Sequence, residues 1–298
     1  MKYCVPLLYS SIVPMETEIG KKFIDLEKII AGKNPKLLKW MPGFVLNYLK
    51  RLLHLNQINN SIYVHRDKFG RDFAEAILED FQVKIVVEGK EHIPSDERLL
   101  VIANHPLGGI DGMALISEIG KVRPDIQFPV NDLLLHLPGL RPVFIPINKY
   151  GNNKSNLNVL ENAFSSENTL LYFPAGLCSR KQKGKILDLD WKTTFLKKAI
   201  QYKRDILPVR VDAENTKRFY NFANLRKKIG IKANIELILL PDEMYRQNGK
   251  TIRLIIGKPI PYQTFDKSKK ITEWTELLKQ HTYHLSNNPE IEFNPNKL

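Results

Sequence analysis

The spacing of hydrophobic residues changes near residue 82. Before that point, apolar side chains recur every three or four residues, as in Gly20–Ala31 and Phe69–Phe81, which predicts amphipathic helices. From Val83 onward, short unbroken apolar runs such as Leu99–Ala103 alternate with helical patterns. This alternation predicts an α/β fold with a mostly parallel central sheet flanked by helices. We therefore divide the chain into an N-terminal helical annex (1–82), an α/β domain (83–285) and a polar tail (286–298).

The elements of the α/β domain follow from the same patterns. The predicted strands are Val83–Glu88, Leu99–Ala103, Asp125–Val130, Pro142–Ile147, Thr169–Phe173, Asp205–Val211, Asn234–Leu240 and Thr251–Ile256. The predicted helices are Asp111–Ile119, Ser155–Phe164 with Ser155 as its N-cap, Trp191–Tyr202, Lys217–Lys228 and Ile271–Leu285. Open parallel sheets place their functional groups where the carboxyl ends of the strands meet. The loops that follow these strands are therefore where we expect a site.

One stretch of the annex combines large apolar residues with many basic ones. Asn34–His54 carries Trp, Phe, Tyr and Leu among lysines and an arginine, and Pro42-Gly43 divides it into two segments. Such a stretch lies in a membrane interface, or it forms ordinary packed helices whose lysines face solvent. The sequence has no run of about twenty apolar residues, so it predicts no transmembrane helix. The first residues also lack the pattern of a secretory signal.

The charge of the chain indicates that its binding partners are anionic. The chain has 45 Lys and Arg residues against 32 Asp and Glu residues, a formal net charge of +13. A surface this basic binds anionic partners: nucleic acid, acidic lipid headgroups or an acidic carrier protein. Two cysteines, Cys4 and Cys178, exclude a disulfide framework and favour a reducing compartment.

The clearest candidate for chemistry is the turn after Leu99–Ala103. It reads Asn104-His-Pro-Leu-Gly-Gly-Ile-Asp111, so a histidine and a carboxylate flank two glycines. His105 is a candidate general base, and Asp111 would orient its ring. The glycines allow the backbone to fold tightly enough to bring the pair together. The alternative is structural: Asp111 caps the next helix and His105 is an ordinary turn residue.

Three further strand ends carry candidate binding groups. Tyr172-Phe-Pro-Ala-Gly-Leu-Cys-Ser-Arg180 offers a glycine turn and a cation, which suit an oxyanion or a phosphate. Pro142–Ile147 leads to Lys149, a further candidate to hold an anion, and Pro208 bends the strand Asp205–Val211. Each of these blocks alone is equally consistent with a plain loop and a surface cation.

The order of these blocks resembles the glycerolipid acyltransferase family, which includes bacterial 1-acylglycerol-3-phosphate acyltransferases. That family reads Asn-His-x4-Asp, a strand ending in a basic residue, Phe-Pro-Glu-Gly-Thr-Arg-Ser, and a strand with Pro-Val. The matching residues are Asn104, His105, Asp111, Lys149, Phe173, Pro174, Gly176, Ser179, Arg180, Pro208 and Val209. The resemblance covers about Glu88 to Pro261, and a basic helical annex also suits such enzymes.

The chain departs from the family pattern in two places. Five residues instead of four separate His105 from Asp111, so the turn must bulge to restore the pair. Ala175 replaces the family's glutamate, which is associated with a glycerol-phosphate acceptor. The Asn-His-Pro-x-Gly-Gly-x-Asp-Gly sequence is similar to a hemolysin-like branch that includes O-acyltransferases of ornithine and glycine aminolipids. Such acceptors present a fatty-acyl hydroxyl and a small amino acid.

The resemblance implies a membrane-associated O-acyltransferase of lipid biosynthesis. His105 would deprotonate the hydroxyl of a lysolipid, Asp111 would orient the ring, and the donor would be an acyl carrier protein or coenzyme A thioester. Backbone N–H groups near Gly176 or in the Gly108-Gly109 turn would stabilise the oxyanion. The predicted substrate-binding residues are Asn104, Gly108, Gly109, Lys149, Phe173, Pro174, Gly176, Ser179 and Arg180. We expect no metal and no cofactor, and a peripheral location at an anionic membrane, on the cytoplasmic face of the inner membrane.

Three alternatives remain open at this stage. The chain could be a degenerate family member that only binds lipid, which Ala175 leaves possible. It could bind nucleic acid through the basic strip from Lys217 to Lys232, although it has no recognition motif, so we expect no nucleic-acid partner. Finally, Cys178 could form an acyl-enzyme with help from a histidine, although most such cysteines are small buried hydrophobic residues.

Overall fold

A five-stranded sheet forms the centre of the protein in the computed structural model, which describes residues 23–130, 132–146 and 153–296. The strands are β1 Lys84–Glu88, β2 Leu99–Ala103, β3 Phe128–Val130, β4 Phe144–Pro146, β5 Leu170–Tyr172, β6 Arg180–Gln182, β7 Lys185–Leu187, β8 Asp205–Asp212 and β9 Thr251–Ile256. The helices are α1 Leu26–Lys33, α2 Pro35–Trp40, α3 Gly43–Leu52, α4 Leu55–Val64, α5 Gly70–Asp80, α6 Gly109–Gly120, α7 Asn153–Ser165, α8 Thr194–Gln201, α9 Lys217–Lys228, α10 Leu240–Tyr245 and α11 Ile271–His284.

The central sheet is mostly parallel, as predicted. Its order is β1-β9-β8-β2-β5, and every neighbouring pair is parallel except β8 with β9. Strands β3 and β4 form a separate parallel pair, and β6 and β7 form an antiparallel hairpin. Because β5, β2 and β8 run in the same direction, their carboxyl ends meet at one edge of the sheet.

The sequence of strand β2 is apolar at every position because both faces of the strand are buried. Leu99, Val101 and Ala103 belong to the hydrophobic core on one face of the sheet. Leu100 and Ile102 belong to the core on the other face. Successive side chains of a strand point to opposite faces, so a strand that is covered on both sides has no position for a polar residue. β2 is thus the buried centre of the fold.

Helices cover both faces of the sheet. On one face, α5 contributes Phe73 and Ile77, and α6 contributes Ile110 and Leu115, to a single core with β2 and β8. On the other face, side chains of α7, α8 and α11 pack together, including Phe164, Phe195 and Leu278. The helix predicted for Phe69–Phe81 is confirmed by α5, in which Phe73 and Ile77 are buried, whereas Phe69 precedes the helix and is exposed.

Two local predictions are wrong. Asn234–Leu240 is not a strand: Ile235–Leu239 is a 3-10 helix that runs into α10. Ile235 and Ile238 are exposed on it while Glu236 is buried between Arg226 and the distant Arg180, so tertiary ion pairing favours this conformation. Ser155 is not an N-cap, because α7 already begins at Asn153. β3 and β4 are shorter than predicted, and Lys149 lies outside the described residues.

The annex helices before α4 differ in packing from the rest of the chain. The predicted break at Pro42-Gly43 is confirmed, since it separates α2 from α3. Among their described side chains, neither helix buries a residue, and Trp40 and Phe44 are 84% and 76% exposed. In the part of the chain that the structure describes, no helix is both long and apolar enough to span a membrane.

Candidate active site

His105 and Asp111 meet at the carboxyl end of β2. The ring Nδ1 of His105 lies 3.0 Å from Asp111 Oδ2, and the same oxygen accepts hydrogen bonds from the backbone N–H groups of Leu107 and Gly108, at 2.8 and 3.1 Å. Asp111 is fully buried, whereas 17% of the His105 side chain is exposed. The carboxylate therefore holds the turn and the ring together, and the ring still reaches the surface.

Gly108 absorbs the additional residue between the two side chains. Its φ of 98° and ψ of −127° are accessible to glycine and unfavourable for other residues. The chain reverses there and α6 begins at the next residue, which places Asp111 in the first turn of the helix. The bulge that the longer spacing requires is thus formed at a glycine, and Asp111 supports both the helix start and the histidine.

Aromatic and sulfur neighbours fix the imidazole ring. Phe173, which follows β5, stacks on His105 with ring centroids 4.0 Å apart, and Cys178 is a neighbour of the same ring. Burial alone would lower the pKa of His105, but the neighbouring Cys178 sulfur and the Asp111 carboxylate outweigh it and raise the pKa to about 10. Burial also raises the pKa of Asp111, and its hydrogen bonds with His105 and the backbone oppose that change.

A second buried carboxylate, Asp188, was not predicted and joins the turn after β2 to the loop after β5. Asp188 Oδ1 accepts hydrogen bonds from the His105 backbone N–H and the Ser179 hydroxyl, at 3.1 and 2.5 Å. Its Oδ2 accepts one from Trp191 Nε1, at 2.9 Å. The Ser179 N–H in turn donates to the His105 carbonyl at 2.7 Å. Asp188 thus locks the loop after β5 onto the histidine turn.

We expect Asp188→Ala to weaken both the fold and the activity. The change leaves three buried donors without their acceptor, which corresponds to a loss of about 3 kcal/mol or more in the free energy of unfolding. Denaturant titration measures this loss, and Asp190→Ala is the matched control, because Asp190 is exposed two residues further along. Equal stability of the two variants would contradict the role of Asp188.

The predicted binding residues Asn104, Ser179, Arg180 and Phe173 make their contacts within the protein. Asn104 joins β2 to β8, because its side chain accepts from the Val211 N–H at 2.7 Å and donates to the Val211 carbonyl at 2.9 Å. Ser179 is held by Asp188, and Phe173 by the histidine ring. These three residues therefore position the turns around His105.

Arg180 is also internal, although it was predicted to hold an anionic group. Its guanidinium donates to the Cys178 carbonyl at 2.6 Å and pairs with the fully buried Glu236 at 2.8 Å. Counted from Phe173, the arginine of the family block corresponds to Cys178, and Arg180 stands one residue after the serine. The arginine fixes the loop shape from within, so the geometry does not favour a headgroup contact.

A different cation lies at the glycine turn of this loop. Gly176 is exposed, with a φ of 66°, and stands two residues after the buried Pro174. Lys192 Nζ lies 3.5 Å from the position that a Cβ atom on Gly176 would occupy, and the Lys192 N–H donates to the Pro174 carbonyl at 3.1 Å. Lys192 was not predicted. Its only sequence signal is its place directly after Trp191 at the start of a helical pattern.

The backbone donors predicted for an oxyanion are partly occupied. Gly176 N–H donates to the Phe173 carbonyl at 3.0 Å, and Gly108 N–H donates to Asp111. Gly109 differs: it is exposed, it is the first residue of α6, and its N–H has no acceptor among the described residues. The amino end of a helix carries a partial positive charge, so this N–H is suited to a developing anion.

The described residues contain one cluster that could hold a metal ion, and it does not include the residues around His105. It consists of Glu91, His92 and Glu290, of which both glutamates are exposed. The turn after β2 thus brings together an imidazole and a buried carboxylate, and Lys192 lies at the Gly176 turn.

Comparisons with known proteins show the family to which the chain is similar. The profile of a protein family described as acyltransferase matches residues 28–291. A lyso-glycine lipid O-acyltransferase of Bacteroides thetaiotaomicron is 45% identical over 264 residues, which cover 88% of this chain and 97% of the relative. One from Phocaeicola vulgatus is 44% identical, with 88% and 95% covered. The crystal structure of the 1-acyl-sn-glycerophosphate (LPA) acyltransferase PlsC from Thermotoga maritima has a TM-score of 0.45 at 17% identity, covering 89% of this chain and 100% of that one.

Proposed function

The chain belongs to the acyltransferase family, and from that premise we propose that it transfers a fatty acyl group from a thioester to the hydroxyl of lyso-glycine lipid. The alignment with this chain covers nearly the whole length of the two relatives that are named for this reaction. The observation that carries the proposal within the molecule is the His105–Asp111 pair at the carboxyl edge of the sheet, which is the arrangement that activates a hydroxyl.

His105 acts as the general base in the proposed reaction. Its Nδ1–H donates to Asp111, which leaves Nε2 as the ring atom that takes the proton of the acceptor hydroxyl. The oxygen then attacks the thioester carbonyl and forms a tetrahedral intermediate. When the carbon–sulfur bond breaks, the proton on His105 passes to the leaving thiolate, so the ester and the free thiol are released and the ring returns to its starting state.

The oxyanion of the intermediate is assigned to the amino end of α6. The Gly109 N–H lies in the same turn as His105 and is the predicted donor that has no acceptor among the described residues. Loss of one such donor commonly raises the barrier by about 3 kcal/mol. Substitution of a side chain does not remove a backbone N–H. The assignment of the oxyanion therefore rests on the geometry of the turn.

The acceptor assignment rests on Ala175 and Lys192 together with the relatives. Ala175 is buried in the core beneath the loop, so no carboxylate lies at the place of the family's glutamate. Lys192 places a cation at the Gly176 turn, where it can pair with the carboxylate of a glycine headgroup. Lys149 remains a candidate to hold an anion, either the acceptor headgroup or a phosphate of the donor, and either acyl carrier protein or coenzyme A supplies the thioester.

We place the enzyme at an anionic membrane through the annex, on the cytoplasmic face of the inner membrane. Helices α2 and α3 expose Leu37, Trp40, Phe44 and Tyr48, and their sequence interleaves these residues with lysines. Aromatic and leucine side chains beside basic residues suit the headgroup boundary of a bilayer. A lipid acceptor would then reach His105 without crossing bulk water.

An acyl-transfer assay with defined acceptors tests the proposal. Purified protein is supplied with lyso-glycine lipid, lyso-ornithine lipid or lysophosphatidic acid, and with acyl-acyl carrier protein or acyl-coenzyme A. We expect diacylated glycine lipid as the main product, and accumulation of lyso-glycine lipid in a strain that lacks the protein. Preferential acylation of lysophosphatidic acid would contradict the acceptor. Binding of lyso-glycine lipid without turnover would instead identify a degenerate lipid-binding member.

The direct mechanism predicts that Cys178→Ser keeps the activity. Cys178 is buried against Phe219 and Tyr220, and its thiol lies beside His105, so a covalent acyl-cysteine is the competing mechanism. If the hydroxyl attacks the donor directly, the serine variant retains kcat within about threefold when each protein is measured on the plateau of its own pH profile, because loss of the Cys178 sulfur lowers the pKa of His105 and moves that profile. Mass spectrometry after a single turnover provides the control: an acyl adduct on Cys178 would contradict the direct mechanism.

A further inference from the structure

The protein has a second exposed apolar surface besides the one on α2 and α3. It comes later in the chain than the His105 turn. It consists of the last turn of α9, the loop after it and the 3-10 helix before α10. Its exposed large apolar side chains are Leu225, Ile229, Ile231, Ile235 and Ile238. We call this set the α9 surface. Five large apolar residues exposed in fourteen consecutive positions far exceed the scattered apolar residues of an ordinary surface.

The protein holds this surface in place instead of leaving it as a loose loop. Arg226 donates to the Ile231 carbonyl at 2.6 Å, and its Nε pairs with the buried Glu236 at 2.7 Å. Glu236 is also paired with Arg180 in the loop after β5. Leu225 and Ile229 are four residues apart on α9 and therefore share one face of that helix. The buried ion pairs thus order a segment whose apolar side chains point outward.

The charge of the α9 surface identifies the partner that it fits. Lys227, Lys228 and Lys232 are exposed between the apolar residues, and no acidic residue stands from Lys217 to Ile235. Apolar side chains within a basic segment match an anionic bilayer, where the side chains enter the headgroup boundary and the lysines meet lipid phosphates. Duplex nucleic acid would use the lysines but would leave the isoleucines exposed.

The α9 surface adjoins the candidate site. Leu239 and Leu240, which follow it directly, pack with Cys178 and Phe219, and Leu240 lies 3.5 Å from the position that a Cβ atom on Gly108 would occupy. It is also joined to the annex: Asp242 of α10 binds His54 at 2.9 Å, at the start of α4, and pairs with Arg218 of α9. The segment is therefore continuous with the turn that carries His105.

We propose that the α9 surface is a second membrane-binding element, which rests on anionic lipid beside His105 and admits the lipid acceptor from the bilayer. The admission of the acceptor rests on the proposed function, whereas the binding to anionic lipid does not. The annex and the α9 surface bind the bilayer together, so the α9 surface adds to the affinity for the membrane and sets the orientation in which the site faces it.

Vesicle sedimentation with the full chain tests the proposal. The probes are vesicles of phosphatidylcholine alone and vesicles that contain 30% phosphatidylglycerol, a composition chosen as about the charge of a bacterial surface. We expect Leu225→Ser/Ile229→Ser and Lys227→Glu/Lys228→Glu each to weaken binding to the anionic vesicles about tenfold or more. The matched controls are Val64→Ser/Phe69→Ser and Lys267→Glu/Lys270→Glu, which change exposed residues outside the surface. Unchanged binding of both test variants would overturn the proposal.

Activity measurements separate this proposal from the proposed function. With lyso-glycine lipid in vesicles, the test variants should lose activity about tenfold more than with the same acceptor dispersed in detergent. A wild-type protein that is inactive in both formats but binds anionic vesicles through the α9 surface would contradict the function and keep the surface. DNA binding provides a further test. If the protein binds duplex DNA at matched salt, Leu225→Ser/Ile229→Ser leaves that binding unchanged, and the variants bind vesicles normally, the proposal of a membrane-binding surface is overturned. Ile231→Ser/Ile235→Ser serves as the second pair if the first does not fold.

Discussion

His105→Ala is expected to abolish acyl transfer while the protein remains folded. The substitution removes the base that takes the hydroxyl proton, and positioned general bases accelerate such steps by about 10² to 10⁴-fold. The backbone contacts of residue 105 with Asp188 and Ser179 do not use the imidazole, so they survive the change. We therefore expect kcat to fall about a thousandfold or more, with KM for the acyl donor nearly unchanged.

The control for this experiment is another histidine of the same chain. His284 is exposed at the end of α11, so His284→Ala should keep wild-type turnover. Thermal unfolding of both variants verifies that the loss of activity is not a loss of fold. Wild-type turnover in His105→Ala would remove the general base from the mechanism and leave the His105–Asp111 pair with a structural role.

The main lines of the fold could be predicted because they depend on local patterns. The five apolar residues of β2 require cover on both faces, and this alone indicates a buried strand of a parallel sheet. Likewise, His105 and Asp111 are close in the chain, and the two glycines between them allow a tight turn. The sequence is therefore sufficient to bring this pair together, and the structure adds which glycine makes the turn.

The rest of the site depends on contacts between distant residues. Asp188 is 83 residues from His105 and looks like an ordinary loop carboxylate until the hairpin β6–β7 returns it to the turn. Arg180 looks like a free cation, and only the buried Glu236, 56 residues away, shows that its charge is used internally. The same ion pair turns Asn234–Leu240 from a predicted strand into a helical segment. Buried ion pairs are set by tertiary structure, which local patterns do not report.

Asp111→Asn is expected to lower the rate strongly and to move its pH dependence. An asparagine carbonyl in the place of Oδ2 still accepts from the His105 ring and from the two backbone N–H groups, so the turn persists. The amide NH2 then occupies the place of Oδ1, which is buried without a partner among the described residues, at about 1–3 kcal/mol of stability. Without the carboxylate charge, the imidazolium that forms during the reaction is stabilised less, so we expect a loss within the about 10²- to 10⁴-fold that a positioned base contributes.

The pH profile distinguishes this role of Asp111 from simple support of the helix. A base must be unprotonated to act, and the raised pKa of His105, about 10, means that kcat/KM of the native enzyme rises with pH through the neutral and alkaline range. Asp111 is one of the groups that raise this pKa, so its removal shifts the rising limb toward lower pH even though the maximum falls. A helix cap that did not interact with the base would reduce stability without moving the limb. An unshifted profile in Asp111→Asn would therefore assign Asp111 to the start of α6 alone.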